Sequence, residues 1–180
     1  MILHQKYENL SKYKILKYKW SFFPEIVHIF KKFQKHAQIS SLLNKNLSLD
    51  SAIYDEFIKN ELESIILKNK ATYVVKDMER GCIFSAYMFS VDIVDKPSVE
   101  LQIGFKDPDY TANKIGVTSH KELIEQVKVD LDRENMFSVL MHRKRYDSYL
   151  KYMQKHFGVK VIAVDELGRY IVKYPNYERD

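Results

Sequence analysis

Residues 99–117, VELQIGFKDPDYTANKIGV, with the segment Ser119-His-Lys-Glu-Leu-Ile-Glu-Gln-Val127 behind them, decide how the rest of the chain is read. Val99, Leu101, Ile103 and Phe105 alternate with Glu100, Gln102 and Gly104, which is the period of a strand with one buried face. Asp107-Pro108-Asp109 cannot prolong it, because proline fixes its own backbone angle, lacks a donor and restricts its neighbour. Ser119 with Glu122 three positions later has the form of a capping box, and Leu123, Ile124, Val127 and Leu131 fall at helical spacing. A helix is therefore expected from Ser119. A strand, a turn and an open helix N-terminus make a natural place to hold an anion, since unpaired N–H groups and the helix dipole both point at it. Any chemistry is expected here.

Outward toward the N-terminus, Tyr13, Ile15, Lys17 and Lys19 alternate with Lys14, Leu16, Tyr18 and Trp20, a strand whose lysines mark an edge or near-edge position. Ser21 is expected to cap a helix with Pro24 in its first turn and one apolar stripe, Phe22, Phe23, Ile26, Val27, Phe30 and Phe33. Lys31, Lys32, Lys35 and His36 suit the C-terminal end of its dipole. A polar connection with Ser40, Ser41, Asn44 and Asn46 leads to a second helix from about Ser51 to Lys68, where Tyr54, Ile58, Leu62, Ile65 and Ile66 repeat at helical spacing. Ala71 to Lys76, a turn at Glu79-Arg80-Gly81 and a strand from Cys82 to about Val94 read as a hairpin, and Asp95-Lys96-Pro97 turns the chain into the Val99 strand.

Outward toward the C-terminus, Met136 to Met141 is a short buried run suited to an inner strand. A helix follows in which Tyr146, Tyr149, Leu150, Met153 and Phe157 share a face. Gly158 ends it, and Val159 to Val164, the Asp165–Gly168 turn and Arg169 to Tyr174 form a closing hairpin.

At 180 residues, 46% of them hydrophobic and 29% charged, the chain is of single-domain size and globular composition, so one domain over 1–180 is expected. The formal charge of +5 favours acidic partners, although an excess this small also fits an ordinary soluble surface. The bias toward Lys, Tyr, Ile and Asn suits an AT-rich genome, that of a bacterium or one of its viruses. The single Cys82 excludes an intramolecular disulfide framework. No apolar run resembles a signal peptide or a membrane span, and a cytoplasmic location, in a bacterium or a phage-infected cell, is expected. The six histidines are scattered without ligand spacing, so no metal site is expected, and neither a Walker loop nor a G-x-S-x-G elbow is present.

The run Pro108-Asp-Tyr110-Thr-Ala-Asn-Lys-Ile115-Gly116 resembles the cofactor loop of the GNAT superfamily of acyl-CoA-dependent N-acyltransferases, in which a strand leads through P-x-Y-R-G-x-G-I-G into a helix. Pro108, Tyr110, Ile115 and Gly116 match, whereas Thr111 stands where Arg or Gln is usual, Ala112 where Gly is common and Lys114 where the first signature Gly falls. The order strand, helix, helix, three strands, helix, strand, helix, two strands is also that of the family and covers nearly the whole chain. The resemblance implies an α+β fold (a mixed α/β sheet): a central, mostly antiparallel twisted sheet of about seven strands flanked by about four helices.

It further implies acetyl-CoA or a related acyl-CoA as donor and an amine as acceptor. Backbone donors of the central strand, Leu101, Gln102 and Ile103, would hold the acyl group and pantetheine. Thr111, Ala112, Asn113, Lys114, Ile115, Gly116 and Val117 would hold the pyrophosphate. Acyl transfer needs a base for the ammonium and an acid for the leaving thiolate. Glu100 is the candidate base and Tyr152 the candidate acid, although strict counting from Gly158 puts the family's tyrosine at Gln154. Each has a plainer reading: Glu100 on the polar face of its strand, Tyr152 as surface cover and Lys114 as an exposed loop lysine. A scaffold without catalysis, serving a protein partner, is the alternative function. Nucleic-acid binding through His142-Arg143-Lys144-Arg145 is a third.

Overall fold

The computed structural model describes residues 12–37, 52–111, 113–140 and 147–177. In chain order the elements are β1 (Tyr13–Lys17), α1 (Phe23–Ala37), α2 (Ala52–Lys68), β2 (Ala71–Asp77), β3 (Cys82–Val91), β4 (Ser98–Lys106), α3 (Asn113–Asp130), β5 (Asn135–Leu140), α4 (Asp147–Phe157), β6 (Lys160–Val164) and β7 (Tyr170–Lys173). The strands form one sheet of seven in the order β1-β2-β3-β4-β5-β7-β6, mostly antiparallel, with β4 and β5 running parallel. This is the α+β architecture that the element order implies.

The chain groups into two compact units, Met1–Met88 with Ile103–Asn113, and Phe89–Gln102 with Lys114–Asp180; β3 and β4 pass from one to the other. In the first unit the apolar stripes of both helices close on the sheet. Ile26, Ile29 and Phe30 of α1 and Tyr54, Ile58, Leu62 and Ile66 of α2 form one buried cluster with Val74, Ile83, Ala86, Met88 and Phe105. Phe105 meets Phe30 at 4.9 Å and Phe33 at 6.0 Å between ring centroids. In the second unit Val99, Leu123, Ile124, Val127, Met136, Phe137, Met153, Phe157 and Val172 are buried. The left-handed Gly158 (φ +64) ends α4, its N–H donating to the Gln154 carbonyl at 3.0 Å, as the C-cap reading requires.

Several boundaries move. Trp20–Phe22 is a 3-10 turn closed by Phe22 N–H to the Lys19 carbonyl, so Ser21 lies inside it and does not cap α1. β3 stops at Val91 because Asp92 adopts φ +58, which ends the strand short of Val94. The central helix begins at Asn113, not Ser119; Ser119 is buried inside it and its hydroxyl donates to the Gly116 carbonyl at 3.2 Å. The apparent capping box is thus an interior back-bond, a local choice open to serine in a helix whose buried face runs back through His120 and Ser119. Tyr149, placed by periodicity on the apolar face of α4, is 46% exposed.

Candidate functional site

Glu100, from the third position of β4, is fully buried. Its Oε1 accepts from the backbone N–H of Ile93 (3.2 Å) and Val94 (2.9 Å) and from the Ser98 hydroxyl (2.5 Å). Its Oε2 is buried without a hydrogen-bond partner. The carboxylate thus fastens the β3–β4 turn with one oxygen and keeps the other in reserve. The turn is held again at its start, where the Asp92 N–H donates to the Ser98 carbonyl at 3.0 Å and Asp92 Oδ1 accepts from the Ser98 N–H at 3.0 Å. Arg133 grips Asp92 with both arms, Nε to Oδ1 at 3.1 Å and Nη2 to Oδ2 at 3.0 Å. That fork holds the Asp92 carboxyl below the usual carboxylate range and raises Arg133 in turn.

The strand register at Glu100 bears on the site directly. β4 pairs with β5 from Ser98↔Asn135 to Leu101↔Ser138. β4 then continues to Lys106 and β5 to Leu140. The parallel ladder therefore ends at Leu101, and the β4 backbone from Gln102 onward is beyond it. Gln102 and Gly104 are exposed, whereas Leu101 and Ile103 are half-buried.

The turn after β4 belongs to the first unit. Asp107 donates its N–H to the Phe84 carbonyl at 2.7 Å and accepts from Lys32 Nζ of α1 at 2.7 Å; the same ammonium reaches Asp109 at 2.6 Å. Those two acids raise the Lys32 pKa. Burial would raise the Asp107 carboxyl, but the Lys32 contact and the Asp109 amide together outweigh it and the net shift is downward. Tyr110 is buried, its ring stacked on Phe84 at 4.0 Å and its hydroxyl donating to Asp77 Oδ2 at 2.9 Å. Burial and then the Asp77 bond push the phenol well above its ordinary range. Asp77 Oδ1 accepts from the Glu79 and Arg80 amides, both at 2.9 Å, and the net result for Asp77 is a lowered pKa despite burial. The tyrosine that matches the signature is thus a fixing post for the approach to α3.

Of the other candidate binding residues, Thr111 is exposed, while Ile115, Gly116 and Val117 lie half-buried in the first turns of α3 and are not in a loop before it. No acidic residue sits in that first turn, so the end of the helix remains electropositive. Ala112 lies outside the described residues, as do the side chains of Asn113 and Lys114 and the whole of His142–Arg145. Tyr152 is 44% exposed on α4, its ring 4.5 Å from His156 and 6.3 Å from Phe157. Among the described residues no group of three or more His, Cys, Asp or Glu could hold a metal, and no helix is long and apolar enough to cross a membrane.

Sequence reasoning missed the braces around the site: Asp92, Arg133, Ser98, Asp77 and Lys32. Only Asp92 carried a local signal, as an Asp suited to a left-handed position before a turn.

No family model and no curated protein matches the sequence. Solved structures do. The PaiA N-acetyltransferase from Thermoplasma acidophilum in complex with coenzyme A superposes with a TM-score of 0.60 at 16% identity, over 90% of this chain and 98% of that one. The ribosomal-protein-S5-alanine acetyltransferase from Vibrio fischeri gives 0.58 at 14%, over 92% and 93%. FdhC, a nucleotide-linked sugar GNAT, gives 0.60 at 13%, over 92% and 87%. The fold is that of the GNAT acyltransferases.

Proposed function

We propose that the chain is an N-acyltransferase that takes an acetyl or related acyl group from acyl-CoA and gives it to an amine. The observation that carries the reading is the short β4–β5 register, four pairs ending at Leu101↔Ser138, with both strands continuing past it. Backbone N–H and C=O groups beyond a ladder seek other partners. Leu101, Gln102 and Ile103 would therefore hold the acyl and pantetheine amides, and the open N–H groups at the start of α3, up to Ile115 with Thr111–Lys114 before it, the pyrophosphate, with Gly116 and Val117 in the next turn beside it. The thioester supplies an activated acyl carbon when bound. Glu100 would take the ammonium proton on Oε2, the oxygen that the β3–β4 turn leaves without a partner. Tyr152 would return a proton to the sulfur from its exposed position on α4.

A scaffold without catalysis is the second reading, favoured by the three donors that already occupy Glu100 Oε1. Titration calorimetry with acetyl-CoA and CoA, using Gly116→Trp as a control, separates binding from its absence. Micromolar binding lost in the variant with its melting retained supports the acyltransferase. No heat at millimolar ligand sinks it. With binding in hand, acyl transfer to a screened amine separates the two readings, and Glu100→Gln then tests the base: transfer falls at least about 100-fold if Glu100 is the base and is unchanged if it only braces the turn.

A further inference from the structure

The two faces of the Tyr110 ring have different neighbours. Phe84 covers one, stacked at 4.0 Å with 4° between the planes. Two cations also lie over the ring, the Arg80 guanidinium carbon at 5.3 Å and Lys106 Nζ at 5.6 Å from its centroid. Because Phe84 fills its own face, both charges fall on the other. Arg80 comes from the β2–β3 turn and Lys106 from the last position of β4, and all four residues belong to the first unit. Like charges on one ring repel each other, and the quadrupole of a single phenol offsets that only in part. Counter-charge is scarce. Lys106 is half-buried, enters no ion pair among the described residues, and has its pKa lowered by burial alone. Among the described residues Arg80 has one carboxylate within ion-pair reach, Asp77 Oδ2 at 4.0 Å from Nε, which is too long for a hydrogen bond. That carboxylate is already in use, Oδ1 by the Glu79 and Arg80 amides and Oδ2 by the Tyr110 hydroxyl. Asp107 and Asp109 are held by Lys32. Glu79, exposed beside Arg80 in the turn, is the one acid there that could compete for it.

We propose that Arg80 and Lys106 form a binding site for a phosphate monoester on the side of Tyr110 away from Phe84. The guanidinium offers a planar fork and the ammonium a point charge. A carboxylate uses the fork and leaves the ammonium idle, whereas a tetrahedral dianion has oxygens and charge for both. The side chain of Arg80 is 55% exposed, so the site opens to solvent from the turn. It is built of side chains ahead of α3 and not of the helix amides, and it does not rest on the acyl-transfer reading. Two sources share this chemistry, the 3′-phosphate of coenzyme A and a free phosphorylated metabolite.

Titration of the full chain with phenyl phosphate, at an ionic strength held constant with chloride, tests it. The phosphorus resonance of the ligand should report saturation with a Kd of roughly 1 mM, and the Arg80 Nε–H resonance of the protein should move with it. Lys106→Met, which keeps the stem on the ring, and Arg80→Gln should each raise that Kd at least about tenfold. Benzoate, a planar monoanion of similar size, should bind at least about tenfold more weakly than phenyl phosphate. An Arg80 resonance that stays still, a Kd unchanged in both variants, or benzoate as tight as phenyl phosphate overturns the proposal. Arg80→Gln replaces an exposed side chain and leaves the turn amides in place, so it decides even if Lys106→Met does not fold. Calorimetry with CoA and dephospho-CoA then identifies the source. Tighter binding of CoA, by a margin that Lys106→Met abolishes, assigns the site to the donor's 3′-phosphate. Equal binding of the two, or binding of neither, beside an intact phenyl phosphate result assigns it to a free phosphorylated metabolite.

Discussion

β4 is bounded by two turns that keep their shape by different means. The turn before it, residues 92–97, is tied mainly to its own strand: Glu100 reaches back six and seven residues to Val94 and Ile93, and only the Arg133–Asp92 fork comes from afar, 41 residues on. The turn after it is tied to distant elements, Asp107 to Lys32 over 75 residues and Tyr110 to Asp77 over 33. The first turn therefore depends chiefly on a buried carboxylate, with the Asp92 bonds closing its start. The second depends on the packing of α1 and the β2–β3 hairpin. A local buried anchor should be costly to lose and insensitive to salt, whereas distributed anchors should be individually cheap, and the partly exposed Lys32 pairs among them salt-sensitive.

The largest expected effect is at Glu100. Glu100→Ala strands two backbone amides at a fully buried site and leaves the Ser98 hydroxyl only the Asp95 carbonyl, at roughly 4 kcal/mol of stability by urea denaturation. Glu100→Gln keeps an acceptor for those donors and should lose less than half as much. Equal losses for the two variants would break the claim that Oε1 is the anchor.

Acid sharpens the contrast between the units to which the turns belong. Burial pushes His120 of α3, packed 4.7 Å from Phe157, down to about 4. The unfolded chain takes up that proton first, near pH 6.5, so stability falls as pH drops from 6.5 toward 4 and levels off below, by roughly 3 kcal/mol in all. Asp77 and Asp107 of the other unit have lowered values, so their stabilisation is complete above the ordinary carboxylate range and fades only as pH falls below it. Denaturation followed from pH 8 to 3 should show loss beginning above pH 6 that His120→Phe removes. A wild-type profile flat to pH 5 would contradict it.

Tyr110→Phe comes next. It keeps the ring stack on Phe84 and deletes one bond to Asp77, whose other oxygen retains two amides, so about 1 kcal/mol is expected in thermal melting. A loss near that of Glu100→Ala would mean that the second turn, too, hangs on one post.

The same distinction explains what the sequence made legible. Strand and helix identities follow from periods of two and 3.6, and Val99 and Phe105, Ile26 and Phe30, and Tyr54, Ile58, Leu62 and Ile66 are buried as their spacing predicts. Ends were less legible, because they turn on single choices. Ser119 and Glu122 satisfy the capping pattern, yet the buried face of α3 extends through Ser119 and carries the helix back to Asn113. Glu100 looks like a polar-face residue by alternation, but a left-handed Asp92 curls the preceding turn's amides onto it. Its grip and the Arg133 fork are tertiary facts that no local window contains.

The smallest effect, and the one most specific to the second turn, is at Lys32. Its ammonium bridges Asp107 and Asp109 while 28% of the side chain remains in solvent. Two ion pairs with that exposure stabilise by less than about 1 kcal/mol together, after side-chain ordering and screening. Lys32→Met retains the apolar stem over α1 and removes only the charge, so any loss of melting temperature reports the electrostatic share. At about 1 M salt, where the screening length shrinks to about 3 Å, wild type and variant should converge. The gap between Glu100→Ala and wild type should persist at the same salt, since its donors are backbone amides and a hydroxyl. A Lys32→Met loss that survived high salt would show that the lysine acts through packing, and the contrast between the two turns would then rest on Tyr110 alone.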